Sequence, residues 1–252
     1  MKQIPNLFTL LNLLFGCIAI IFILQNGIII VTQEDGTQLV NVPEKIWYAS
    51  LFIGLAAVID FLDGFVARLF KAVSEIGKQL DSLADVVSFG VAPGLILYQF
   101  LRLSYASAVN GLDVSFLVLV PALLVPCAAA YRLARFNTDT TQEYGFKGLP
   151  VPATGMLVGS FPLIYWFPIY ELPRELLLNK WVLYGIILLL SWLMVSRLPL
   201  MSLKFKDFTI KSNLSKIILA VIAIGAAVLL QWLAVPVVIV CYIALSLIFP
   251  KS

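Results

Sequence analysis

Asp60-Phe61-Leu62-Asp63-Gly64-Phe65-Val66-Ala67-Arg68 closes an apolar run that begins at Ile46, and Gly77-Lys78-Gln79-Leu80-Asp81-Ser82-Leu83-Ala84-Asp85 opens the next one. Four carboxylates therefore fall in or just beside two segments long enough to cross a bilayer. An ionised group at membrane depth costs several kcal/mol and marks function by default. Asp60 and Asp63 are spaced i,i+3, and Asp81 and Asp85 i,i+4, so each pair occupies one helix face. Asp60, Asp63, Gly64, Ala67 and Arg68 form one stripe; Gly77, Asp81, Asp85 and Ser88 form another. The connection between the two runs is short, which predicts neighbouring antiparallel helices whose acidic faces meet.

The composition surrounding this segment agrees. Of 252 residues, 61% are hydrophobic and 12% charged, whereas a soluble domain carries about 25% charged residues. The chain reads as one integral membrane domain over 1–252, all-α, a polytopic transmembrane helical bundle. Residues 1–200 form a catalytic helical core and 201–252 add C-terminal spans. Eight spans are expected, at about 7–31, 46–70, 77–101, 114–135, 150–170, 179–197, 213–231 and 233–249. The last two are alternatively one long kinked helix, because residues 217–249 carry no charge. Pro93-Gly94 predicts a kink in the third span.

Of the 17 Lys and Arg residues, only Lys45, Arg102, Arg174 and Lys180 fall outside when the N-terminus is placed inside. That asymmetry predicts cytoplasmic termini. Met1-Lys2 runs directly into Ile4-Pro5-Asn6 without a cleavage motif, so the N-terminus reads as retained. Lys204, Lys206, Lys211 and Lys216 give the 202–216 loop a basic character suited either to anionic lipid or to plain orientation signalling. The net charge of +3 is too small to argue for nucleic-acid binding.

No histidine is present, which excludes imidazole acid–base chemistry, serine–histidine triads and His-ligated zinc. Cys17, Cys127 and Cys241 sit in apolar runs and read as small hydrophobes. Four close carboxylates in a low-dielectric setting require compensating charge. Two divalent cations would supply it, and hard oxygen ligands favour Mg²⁺ or Mn²⁺. A two-metal centre suits displacement at phosphorus. Gly64 and Ala67 leave room for a nucleotide, and Arg68 offers a planar fork to phosphate oxygens. Salt bridging with Arg68, or a proton relay in an ion-coupled transporter, are the competing readings of the same acids.

The pattern D-x2-D-G-x2-A-R-x8-G-x3-D-x3-D, from Asp60 through Asp85, resembles the signature of the CDP-alcohol phosphotransferases. The resemblance implies a dimeric helical membrane fold, a polar cavity facing the cytoplasm, and Mg²⁺- or Mn²⁺-dependent transfer with CMP as leaving group. It implies Asp60, Asp63, Asp81 and Asp85 as metal ligands, with Asp85 also the general base. It implies Asp60, Gly64, Ala67, Arg68, Gly77 and Asp81 as the CDP site. Pro5-Asn6 and Thr9, Ser88-Phe89-Gly90-Val91-Ala92-Pro93, Arg132-Leu133-Ala134-Arg135-Phe136-Asn137 and Gly148-Leu149-Pro150-Val151-Pro152-Ala153 further resemble the bacterial membrane-type phosphatidylserine synthases. Within the family, that similarity implies CDP-diacylglycerol and L-serine as substrates, in a bacterial cytoplasmic membrane. Glycerol 3-phosphate, inositol phosphate and choline are alternative acceptors. Arg132, Arg135 and Arg197 are candidates for an anionic group of acceptor or lipid, or are ordinary cytoplasmic flanks. Ser88, Asn6 and Thr9 are candidates for acceptor contacts, or for packing and a helix start.

Overall fold

The computed structural model describes residues 4–25, 29–32, 38–41, 45–69, 74–106, 114–138, 146–201 and 213–249. The chain begins with α1 (Ile4–Leu24), α2 (Ile46–Leu69) and α3 (Glu75–Asp85). A π-helical turn, Val86–Val91, joins α3 to α4 (Ala92–Ala106). Next come α5 (Phe116–Leu119), a 3-10 turn at Val120–Leu123, and α6 (Leu124–Thr138). The second half holds α7 (Val151–Gly159), α8 (Phe161–Trp166), α9 (Glu171–Leu177), α10 (Lys180–Val195), α11 (Leu214–Leu230) and α12 (Ala234–Ile248). Two small antiparallel pairs complete it: β1 (Ile29–Thr32) with β2 (Gln38–Asn41), and β3 (Phe146–Lys147) with β4 (Pro199–Leu200).

The chain is thus a helical membrane bundle, and the described residues do not confirm a count of eight spans. Among the described residues five helical stretches are long and apolar enough to cross a membrane, with Leu214–Ile248 taken as one, or six if α9 and α10 are joined across their 77° bend. The first helix stops at Leu24 instead of reaching residue 31, because β-branched Ile29-Ile30-Val31-Thr32 pairs as a strand. The expected fifth span is divided at Ser160, with Pro162 in the first turn of α8. Val151–Trp166 falls in the class of shorter apolar helices, at about 24 Å long for a core of about 30 Å. The apolar stretch Leu214–Ile248 is 35 residues, about 52 Å if straight. Gln231 takes a positive φ of 47° at its middle, and α11 and α12 pack on each other. The stretch is therefore a helical hairpin, not one long kinked helix.

Pro93 is absorbed without a break. The continuous helix Glu75–Ala106 spans 32 residues, and the Ala92 N–H donates to the Val87 carbonyl five residues back. This π-type bond spreads the disruption that a missing proline N–H causes over the preceding turn. At about 48 Å the helix exceeds the apolar core. Its polar first turns, with Lys78 and Gln79 exposed, therefore form the end that projects toward water.

Lipid removes the hydrophobic drive for helix association, so close packing at small residues carries it. The π turn is the hub: α1, α4, α6 and α7 all pack against it. Ser88, Phe89 and Gly90 within it are buried, and a Cβ on Gly16 of α1 would fall 2.9 Å from the Ser88 Cα. Ile53, Ile96, Phe100, Leu149, Leu183 and Ile187 extend the core around it.

Gly148 ties α10 to the entry of α7. Its φ is +78°, and a Cβ there would lie 2.7 Å from the carbonyl oxygens of Met194 and Ser196. The N–H groups of Gly148 and Leu149 donate to Leu198 and Leu193 carbonyls at 2.9 and 3.0 Å, satisfying acceptors at the end of α10. Gly148→Ala is expected to cost about 1–3 kcal/mol from backbone strain, read as a lower thermal midpoint in detergent. An unchanged midpoint would contradict this account of the junction.

Candidate active site

α2 and α3 both pack on α1 and bring their acids to one place, and the placement of the α3 acids follows from local capping. Ser74 caps α3, its Oγ accepting from the Gly77 N–H at 3.0 Å. Capping fixes the start of the helix and hence the face that carries Asp81 and Asp85. Asp60, Asp81 and Asp85 each offer a carboxylate oxygen within 4.8 Å of the others. At an effective dielectric of about 20, each such pair of anions repels by roughly 3 kcal/mol. Three unscreened charges at this separation are not a resting arrangement; they call for a shared proton or a cation.

Asp63 stands slightly apart. It is 7% exposed, it interacts electrostatically with Asp60 and Asp81, and the Thr9 hydroxyl of α1 donates to its carboxylate. Thr9 also bonds the Pro5 carbonyl at 3.2 Å. Its hydroxyl is thus committed to orienting an acid, which differs from the expected acceptor contact. Asn6, one turn earlier, lies against Gly77: a Cβ there would be 3.1 Å from the Asn6 Oδ1. The Ser74 Oγ lies 3.0 Å from the same Cβ position, so Gly77 sits close against both α1 and its own cap.

The remaining candidates divide. Gly64 follows Asp63 on α2 and is half-buried. Ala67 and Arg68 continue the α2 backbone, and their side chains lie outside the described residues. Ser88 is fully buried and donates to the Asn12 carbonyl at 3.0 Å, so it serves helix packing. Arg132 is 7% exposed, interacts electrostatically with Asp85, and has an Nε without a hydrogen-bond partner. Arg135 instead donates to the Val195 carbonyl at 3.2 Å, where a cation complements the end of α10. Arg197 is exposed just beyond α10. Of the basic loop, Lys204, Lys206 and Lys211 lie outside the described residues, while Lys216 is buried and donates to Asn213 at 3.0 Å.

Two residues near the acids were not anticipated from the sequence. Asn12 is fully buried, and its Nδ2 donates to the Asp85 Oδ1 at 3.2 Å. Its signal was available: Asn6, Thr9 and Asn12 recur every third residue along an otherwise apolar helix. Tyr242 of α12 interacts electrostatically with Arg132 while its hydroxyl donates to the Met201 carbonyl at 2.9 Å. No motif marked it.

The family model for CDP-alcohol phosphatidyltransferase matches residues 2–196. The chain belongs to this family. The match takes in α1 through α10 and leaves the α11–α12 hairpin beyond it. A CDP-diacylglycerol–serine O-phosphatidyltransferase of Helicobacter pylori (strain J99 / ATCC 700824) is 34% identical over 224 residues, covering 86% of this chain and 78% of its own length. The enzyme of that name from Mycobacterium bovis is 32% identical over 253 residues, covering 96% and 76%. That from Bacillus subtilis is 32% identical over 165 residues, covering 66% and 78%.

CDP-alcohol phosphatidyltransferases are generally dependent on divalent metal, and the donor set here fits one. Three converging carboxylates, half-buried or buried, provide hard oxygen ligands and excess negative charge. All four acids lie on α2 and α3, and α10, α11 and α12 contain none. Among the described residues that distribution lacks the repeated broken-helix sites of an ion-coupled transporter.

Asp81→Asn is expected to weaken Mn²⁺ binding by roughly tenfold or more, by analogy with losses at metal-supporting residues. The same substitution should raise the thermal midpoint of metal-free protein, because it removes the repulsion of Asp81 with Asp60, Asp63 and Asp85. Calorimetric titration and melting in chelator check both signs; unaltered Mn²⁺ affinity would remove Asp81 from the ligand set.

Proposed function

We propose that this CDP-alcohol phosphatidyltransferase moves the phosphatidyl group of CDP-diacylglycerol onto L-serine, giving phosphatidylserine and CMP. The convergence of Asp60, Asp81 and Asp85 between two membrane helices carries the reading, and the relatives named above supply the acceptor. The substrate is a lipid diphosphate, so a site at the water-facing end of two spans meets its headgroup without extracting its acyl chains.

In this mechanism the serine Oγ attacks the phosphorus that bears the diacylglycerol. A bond forms between them as the bond from that phosphorus to the oxygen bridging to CMP breaks, and CMP departs with the electron pair. The hydroxyl proton passes to Asp85, a carboxylate being the base this site offers in a chain without histidine. Asp60, Asp63, Asp81 and Asp85 would hold two Mg²⁺ or Mn²⁺ ions, which supply charge neutralisation at the diphosphate. Thr9 fixes the orientation of Asp63. Arg132, buried beside Asp85, offers a cation to the serine carboxylate. Arg68 and Gly64 border the CDP side. Arg197, exposed just beyond α10, is reserved for lipid phosphate at the rim, while Arg135 holds the end of α10.

The reading further places both termini and the site on the cytoplasmic side of a bacterial inner membrane, in accord with the Lys and Arg distribution. It includes a homodimer, as the family resemblance implies, and membrane lipids as surroundings.

Purified protein with Mn²⁺ and CDP-diacylglycerol is expected to release CMP when given serine, and only background CMP with glycerol 3-phosphate, inositol, inositol phosphate or choline. Release with a phosphorylated acceptor alone would move the assignment to another branch of the family. Asp85→Asn is expected to lower kcat by about 10²–10⁴-fold while CDP-diacylglycerol still binds. Full turnover in that variant would remove Asp85 as the base.

A further inference from the structure

We infer that Asn12 is a positioning residue for the transfer reaction: from α1 it fixes the Asp85 carboxylate so that one oxygen is held by the amide and the other is left for metal and acceptor. The inference rests on the functional reading above, and the geometry that suggests it is independent of any substrate.

Asn12 is fully buried, in the middle of a helix whose other residues are almost all apolar. Its amide has two ends with opposite demands. Nδ2 donates to the Asp85 Oδ1 at 3.2 Å, while the Asn12 Oδ1 is buried and has no hydrogen-bond partner. Turning the amide around would set an oxygen against a carboxylate oxygen, acceptor to acceptor, so the donor orientation is the one Asp85 dictates. An unsatisfied buried carbonyl costs stability. A leucine would remove that cost but would strip the buried Asp85 carboxylate of its donor, so the asparagine is accounted for by Asp85 and not by the apolar helix around it. Its one described side-chain contact is the candidate base.

The surroundings support a fixed geometry. The Ser88 hydroxyl donates to the main-chain carbonyl of Asn12 at 3.0 Å, which locks this turn of α1 to the π turn that directly follows Asp85. One turn earlier, Thr9 holds Asp63. α1 therefore grips one acid from each of the two acid-bearing helices, Asp63 on α2 and Asp85 on α3, and spans the cluster between them. Loss of an outer partner that orients a ligating carboxylate lowers metal affinity or activity by about 10–100-fold, even though the partner touches neither metal nor substrate.

The test compares wild type, Asn12→Leu and Asn12→Ala, the latter because it folds even where leucine overfills the site. For each, Mn²⁺ affinity is measured by calorimetry without substrate, thermal midpoint in chelator, and kcat and KM from CMP release with serine. Both variants are expected to show weaker Mn²⁺ binding and a kcat lower by about 10–100-fold, with KM for CDP-diacylglycerol within about twofold of wild type. Wild-type Mn²⁺ affinity and kcat in either folded variant would overturn the inference. So would a lower midpoint accompanied by unchanged Mn²⁺ affinity, which would make Asn12 a packing residue. If wild type releases no CMP with any acceptor, the functional reading fails, and Mn²⁺ affinity alone then decides the role of Asn12.

Discussion

Like charges brought together between two membrane helices are the constraint on which the rest of the structure depends. Asp60 reaches the cluster from the second half of α2, and Asp81 and Asp85 from the last turns of α3. Their mutual repulsion is several kcal/mol in any plausible interior dielectric, comparable with the whole stability of a small domain. Something must hold the helices in place against it. Part of the answer is the capped start of α3, part is α1, and the final part is the cation that such a donor set selects.

α1 does two jobs that normally conflict. Its exposed flank carries Leu7, Leu10, Leu14 and Ile21, suited to lipid. Its inner flank carries Asn6, Thr9, Asn12 and Gly16, directed at Gly77, Asp63, Asp85 and Ser88 in turn. Small and polar residues at a helix interface allow close approach in a setting where apolar burial gives no advantage. The π turn complements this: it accommodates Pro93 without breaking the Glu75–Ala106 helix, so the acids remain rigidly coupled to the buried hub around Phe89.

What could be read from sequence was what depends on composition and helical periodicity. The i,i+3 and i,i+4 spacing of the acids placed each pair on one face before any coordinates, and the apolar runs at 46–70 and 77–101 correspond closely to α2 and to the helix containing α3 and α4. What could not be read was backbone direction. Hydropathy does not distinguish a strand of Ile and Val from a helix of the same residues, hence the misplaced end of the first span. Nor does it register the break at Ser160 or the 77° bend before α10. Side-chain commitments were equally hidden. Ser88 and Thr9 are hydroxyls in apolar helices, and only the third dimension assigns one to a carbonyl and the other to a carboxylate. Arg135 sits where a phosphate-binding cation would, yet it closes the end of α10.

The most direct test of the central claim is anomalous diffraction at the manganese edge from crystals grown with Mn²⁺. The account predicts two peaks enclosed by Asp60, Asp63, Asp81 and Asp85, with Asp85 in contact with both Asn12 and an ion. Peaks confined to other acids, or the four side chains ordered and ion-free at saturating Mn²⁺, would contradict it.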